Sequence, residues 1–264
     1  MSGFIYVARG VVAAALSLFA VSASAQSVAD PPKPFEPVSG QAGKDVVWVP
    51  TPQATVDKML DLAKVTARDY VIDLGAGNGI TVISAAKRGA TAQGIEFNPE
   101  MVALARRLAK EAGVADKATF VEGDLFEADL SRATVITLFL LPDINERLRP
   151  KLLDLKPGTR ISSNTFDMGD WQPDARWSGQ DCSWCTALSW VVPAKVEGSW
   201  TLGKETLALT QRYQVITGSL GTEPITAGAL NGDGISFTVG SRVYKGRVDG
   251  DRMIGEGWSA TRTR

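Results

Sequence analysis

The spacing of apolar residues changes along the chain, and the changes mark its organisation. Between about residues 51 and 166, short apolar runs alternate with stretches whose apolar positions recur every three or four residues. "DYVIDLG" (69–75), "TAQGIEF" (91–97), "KATFVEGD" (117–124), "ATVITLFLLP" (133–142) and "TRISSNTF" (159–166) predict five strands. The fourth is continuously apolar, as a parallel strand covered on both faces should be. "GITVISAAKRG" (79–89), "PEMVALARRLAKEAG" (99–113) and "INERLRPKLLDL" (144–155) predict the helices between them. The 99–113 helix has Asn98 before it, Pro99 at its start and Gly113 after it, the expected punctuation of a helix. An earlier helix starts near Thr51, a capping residue, with Pro52 in its first turn and Val56, Met59, Leu60 and Ala63 on one face. Regular alternation of strand and helix predicts an α/β fold, a doubly wound and mostly parallel sheet of Rossmann-like type.

After about residue 186 the helical period disappears. Residues 186–203 predict two further strands, and 196–264 alternate polar and apolar with turn signals at "NGDG" (231–234) and "DG" (249–250). This is an antiparallel β-meander, a small appended domain or an extension of the main sheet. The Pro- and Gly-rich stretch 26–45 has no period and reads as a tether. Before it, Arg9, the apolar run 11–21 and the small residues "ASA" (23–25) make a signal peptide with cleavage after Ala25. Export to the periplasm follows, the alternative being an uncleaved N-terminal membrane anchor. The expected division is thus signal peptide 1–25, linker 26–45, α/β domain 46–195 and β domain 196–264. No second apolar run of spanning length follows, so no stable membrane insertion is expected after cleavage.

Composition narrows the chemistry. Lys plus Arg (28) nearly balance Asp plus Glu (29), which gives a nucleic-acid partner no electrostatic support. The chain has no histidine, which removes Ser-His-Asp and Cys-His catalysis and imidazole metal sites. Its two cysteines cannot close a structural zinc site, so no metal is expected.

"VIDLGAGNGI" (71–80) carries the candidate ligand site. Gly75, Gly77 and Gly79 run as G-x-G-x-G, not the G-x-G-x-x-G of dinucleotide sites. Asp73 lies under this loop, where it would repel a pyrophosphate and hold a cationic amino group. Glu96 ends the second strand, where a carboxylate takes a ribose diol. Asp124 ends the third and could accept from an adenine amino group, with Leu125 and Phe126 sandwiching the ring. Ammonium, ribose and adenine without phosphate describe S-adenosyl-L-methionine.

On these residues the chain resembles the class I, seven-stranded S-adenosylmethionine-dependent methyltransferases. "VIDLGAGNG" is similar to their glycine motif, "GIEFN" to the ribose-binding acid and "GDLF" to the adenine-binding turn. "VPTP" (49–52), "GIEFNPEMV" (94–102) and "FLLP" (139–142) are similar to the mitochondrial protein-lysine methyltransferases that modify the c-ring protein of ATP synthase and the adenine nucleotide carrier. The resemblance, over about 46–195, implies lysine N-methylation of a protein substrate, membrane proteins included. It also implies that Thr51 lies near the methionine carboxylate and that Phe139 to Pro142, with Asn145, line the acceptor pocket. Asn164, Thr165, Asp167 and Asp170 are polar candidates near the fifth strand tip, and Asn145, Asn164 and Asp167 are the candidate catalytic groups. Trp171, Trp177 and Trp184 would form a lid, a cation-binding wall or ordinary packing. Cys182 and Cys185 in "CSWC" predict a local staple. The competing readings are an exported nucleoside-binding module without turnover and a nicotinamide oxidoreductase, the latter disfavoured by the glycine spacing.

Overall fold

The computed structural model describes residues 1–5, 35–180 and 183–263. The apolar part of the expected signal peptide and its expected cleavage site lie outside the described residues. Phe35–Arg264 form one compact unit, and among the described residues no helix is long and apolar enough to cross a membrane.

Five parallel strands, β1 (Tyr70–Leu74), β2 (Thr91–Glu96), β3 (Ala118–Glu122), β4 (Val135–Leu138) and β5 (Arg160–Asn164), are joined by β6 (Ala175–Ser178) and β7 (Thr186–Val191). They make a seven-stranded sheet in the order β3-β2-β1-β4-β5-β7-β6. β7 runs antiparallel to β5, and β6 antiparallel to β7. The strand order reverses beside β1, so the glycine loop after β1 opens into the crevice where such sheets hold ligands. Helices α1 (Gln53–Leu62), α2 (Ile80–Lys87) and α3 (Pro99–Glu111) cover one face around Val56, Val82, Val102 and Phe120. On the other face α4 (Pro142–Leu153) buries Ile144, Leu148 and Leu152 against Ile72, Ile136 and Trp190.

The predicted meander closes on itself. β8 (Gly198–Leu202), β9 (Glu205–Arg212), β10 (Val215–Leu220), β11 (Glu223–Asn231), β12 (Gly234–Val239), β13 (Arg242–Asp249), β14 (Arg252–Gly255) and β15 (Trp258–Arg262) form a barrel in chain order, with β15 pairing back to β8. Closure removes both open strand edges. Side chains fill the interior, with Phe237 and Tyr244 stacked at 4.8 Å and Trp258 edge-on to both.

Two local expectations differ. Thr51 does not cap α1: the N-cap is Pro52, without a side-chain hydrogen bond. Residues 40–48, at the end of the stretch read as tether, fold as a small hairpin. Gly40 N–H donates to the Trp48 carbonyl at 2.8 Å, Trp48 N–H to Gln41 at 2.9 Å, and Ala42 bridges Val47. No apolar period announces a hairpin this short.

Candidate functional site

One cavity runs along the carboxyl ends of the strands. The hairpin and Thr51 line it, as do Asp73, Gly75, Gly77, Glu96, Asp124 and Leu125. The three acids that sequence reasoning placed at successive strand tips therefore share one site. Gly75 and Gly77 have φ of 76° and 53°, a region open to glycine and costly for other residues. A Cβ on Gly77 would stand 2.7 Å from Trp48 Nε1, so the indole lies directly on the loop. Gly79 stands off the cavity and starts α2 at φ 81°, where a Cβ would meet the Phe120 ring at 2.6 Å.

Each acid has a different environment. Asp73 is buried and accepts the Thr137 hydroxyl at 2.5 Å. Burial pushes its carboxyl up to about 7, the Thr137 bond opposes that, and the charge of Glu96 adds to it. A desolvated carboxylate at the bottom of a cavity is poised to gain from an incoming cation. Glu96 binds backbone instead: Gly77 N–H donates to Oε2 at 2.8 Å and Asn98 N–H to Oε1 at 2.9 Å. These bonds tie the glycine loop to the start of α3 and leave acceptor capacity on both oxygens. Asp124 pairs with Lys44 of the hairpin, whose ammonium also lies 4.9 Å from the centre of the Phe97 ring. The Lys44 hydrogen bond holds the Asp124 carboxyl below the usual carboxylate range, helped by the Phe126 N–H. That same turn carries the Phe126 ring off the cavity and under the Arg147 guanidinium, 4.1 Å away. The expected sandwich of Leu125 and Phe126 is thus not formed, and Leu125 alone faces the site.

None of the candidate catalytic groups lines the cavity. Asn145 is buried, and its Nδ2 donates to the carbonyls of Asp167 at 2.9 Å and Phe166 at 3.3 Å. Asn164 is buried at the end of β5, and its Oδ1 accepts the Thr165 hydroxyl at 2.9 Å. Among the described residues Asn145 Oδ1 and Asn164 Nδ2 have no hydrogen-bond partner. Asp167 is exposed and accepts from Gly169 N–H at 3.2 Å. Asp170 faces the barrel: Arg212 first, then Tyr213, hold its carboxyl down to about 2.

Of the three tryptophans, Trp171 is fully buried against Trp190 and Tyr213, whereas Trp184 is 42% exposed and lines the cavity. Cys185 is disulfide-bonded, and Cys182 lies outside the described residues. Sequence reasoning missed Lys44, Trp48, Phe97, Thr137 and Phe166. Thr137 alone left a signal, as the one hydroxyl within an otherwise aliphatic strand.

A seven-stranded sheet of this order, with a glycine-rich turn after β1 and acids at the tips of β1, β2 and β3, defines a class I S-adenosylmethionine-dependent methyltransferase. A family model, the ANTKMT methyltransferase domain, matches residues 73–175. A protein-lysine N-methyltransferase of Saccharolobus islandicus (strain REY15A) is 46% identical over 131 residues, which cover 48% of this chain and 81% of that protein. The ATP synthase C-subunit lysine N-methyltransferase of Mus musculus is 32% identical over 54% of this chain and 58% of that protein. The crystal structure of an RNA methyltransferase from Salinibacter ruber, in complex with S-adenosyl-L-homocysteine, is 49% identical, with a TM-score of 0.54 over 56% of this chain and 96% of that one. The chain belongs to the same class I methyltransferase family as the archaeal relative, and its residues 73–175 match the ANTKMT methyltransferase domain. The reading as a binding module without turnover finds no support in these relatives, which are named as methyltransferases. The barrel lies beyond the family match, which ends at residue 175.

Proposed function

We propose that the chain transfers a methyl group from S-adenosyl-L-methionine to lysine side chains of protein substrates, membrane proteins among them, after export and cleavage behind Ala25. The observation that carries the cofactor is the meeting of Asp73, Glu96 and Asp124 with Gly75 and Gly77 around one cavity. The lysine acceptor is supported by the archaeal relative, which is named for protein-lysine N-methylation. Export is supported by Arg9, the apolar run 11–21 and the small residues before Gln26.

When bound, S-adenosylmethionine supplies an electrophilic methyl carbon on a sulfonium, and transfer to an amine nitrogen leaves a neutral thioether and releases one proton. The chain's own residues prepare the site. Asp73 holds the ligand's ammonium, and Thr137 fixes the carboxylate that does so. Glu96 clamps the loop at Gly77 and Asn98 and keeps lone pairs for the ribose hydroxyls. Thr51, uncommitted to any cap, faces the same space. Apolar walls lower the pKa of an acceptor amine and favour its neutral, nucleophilic form, so no histidine base is needed. The value of the site lies in alignment and exclusion of water, a term that reaches about 7–11 kcal/mol in well-oriented reactions.

The test is a labelled-methyl assay with protein recovered from the periplasmic fraction, its N-terminus read by mass spectrometry. A start at Gln26, protease-sensitive label on membrane-protein extracts and methyl-lysine in the hydrolysate are expected, and Asp73→Ala should transfer at least about tenfold less. Label in RNA instead of protein would overturn the acceptor assignment, and an intact N-terminus the export.

A further inference from the structure

The cavity has two chemically distinct halves. Its acids stand at the tips of β1, β2 and β3 and on the hairpin. On the β4, β5 and β7 side its lining is Leu138, Phe139, Leu140, Leu141, Phe166 and Trp184, without a polar side chain among them. Phe139 follows β4, Phe166 follows β5, and Trp184 precedes β7, so adjacent strands of the sheet deliver three rings to one place. Their centroids lie 6.2 Å (Phe139 to Phe166), 6.4 Å (Phe139 to Trp184) and 5.5 Å (Phe166 to Trp184) apart. The first pair is inclined by 22°, and Trp184 is tilted by 51° and 48° to the two phenylalanines.

The backbone is strained to make this arrangement. Thr165 has φ 64°, a conformation that a β-branched residue rarely takes and that is energetically costly. Thr165 N–H donates to the Thr186 carbonyl at 2.6 Å, and Phe166 N–H turns back to the Asn164 carbonyl at 2.7 Å. The Phe166 carbonyl is taken up by Ser163 Oγ at 2.7 Å and by Asn145 Nδ2. Strain of this kind persists only where surrounding contacts over-determine it, and what it secures here is the Phe166 ring at the cavity.

We propose that Phe139, Phe166 and Trp184 are the acceptor-binding wall of this chain, and that it takes an alkylammonium, the side chain of lysine and its methylated forms, by cation–π contact and not by hydrogen bonds. This rests on the methyltransferase reading above. The rings touch one another, so they present a continuous tilted wall and leave no slot between parallel faces for a nucleobase. Among the described residues the cation lining the cavity is Lys44, already paired with Asp124 across the site, so a phosphate backbone meets no free positive charge among them. A cation gains from the ring faces, and an amine that sheds its proton still packs well on them. Trp184 lies beyond residue 175, where the family match ends.

Calorimetry with the full-length protein and saturating S-adenosylhomocysteine tests the wall. The probes are acetyl-trimethyllysine amide, which has no lone pair to methylate, and its neutral isostere with carbon in place of the quaternary nitrogen. The cation should bind about fivefold more tightly than the isostere, and Trp184→Leu and Phe166→Leu should each erase that preference. S-adenosylhomocysteine affinity should stay within twofold in both variants, which also reports their folding. Equal binding of the two probes, no measurable binding of the cation, or its displacement by a single-stranded RNA oligomer would overturn the wall while leaving the cofactor site intact. Failure of the wild type to bind S-adenosylhomocysteine would instead overturn the reading beneath it, and the wall with it.

Discussion

At the scale of single residues the site depends on Asp73, a carboxylate buried where it is costly. Its folded pKa of about 7 lies above the ordinary value of 3.8, so the folded state binds the extra proton between those two values. Stability of the ligand-free protein therefore falls as pH rises from about 4 to 7. Cofactor affinity runs the other way, because only the ionised carboxylate attracts an ammonium. S-adenosylmethionine should bind about eightfold more weakly at pH 6 than at pH 7.5, and affinity should decline again above about pH 8 as the ligand's own α-amino group loses its proton. Asp73→Asn keeps an acceptor for Thr137 and removes the buried charge. It should raise the melting temperature of the ligand-free protein at pH 8 and flatten the acid limb of the binding profile. Titration calorimetry from pH 5.5 to 9 decides this, and an unchanged acid limb in the variant would assign it to another group. The three acids and the glycines were legible because their spacing follows the sheet: each acid lies within two residues of the end of its strand. Lys44, Trp48 and Phe166 were not legible, because their roles arise from long-range contacts that no local period encodes.

At the scale of elements, the agreement between sequence and structure tracks the strength of local rules. Asn98 caps α3 as its position predicts, accepting from Glu100 N–H at 2.8 Å and from Met101 N–H at 3.3 Å. Thr51 breaks the corresponding rule for α1 and lines the cavity instead, a local conflict of the kind that collects at functional sites. The barrel was legible as strands and turns but not as a closed surface, since closure depends on β15 meeting β8 about sixty positions away in the chain. The glycines that punctuate helices differ in what they protect. Gly113 has φ 70° with open space around it, whereas at Gly79 a Cβ would meet the Phe120 ring at 2.6 Å and Ala105 Cβ at 2.9 Å. Gly113→Ala should cost only the backbone term of about 1 kcal/mol. Gly79→Ala adds overpacking to that term and should cost roughly 2–5 kcal/mol in total. Denaturant unfolding of the two variants compares them directly, and equal losses would mean that α2 shifts freely over β2 and β3.

For the whole molecule the question is what the barrel contributes to a site it does not line. Its β9–β10 turn meets the loop after β5, the loop that carries Phe166. The Tyr213 hydroxyl donates to Asp170 Oδ1 at 2.7 Å, and its ring stacks on Trp171 at 5.8 Å. Gln214 accepts from Trp171 Nε1 at 2.9 Å and donates to the Gln172 carbonyl at 2.9 Å. From the α4 side, Arg149 donates to Asp170 Oδ1 and to the Met168 carbonyl. The loop is thus held between α4 and the barrel. Arg212 and Tyr213 keep the Asp170 carboxyl near 2, so this contact contributes its stability above about pH 4 and loses it only as pH falls toward 2. Across the range in which Asp73 titrates, the strut is constant. Gln214→Ala leaves the buried Trp171 N–H unpaired, a penalty of about 1–3 kcal/mol, and loosens the strand-five loop without touching the cofactor half of the cavity. The expected result is a rise of about tenfold in the acceptor KM, faster amide exchange across residues 166–172, and an S-adenosylhomocysteine affinity within twofold of wild type. Equal losses of acceptor and cofactor binding would mean that the barrel supports the whole domain and not the acceptor loop in particular.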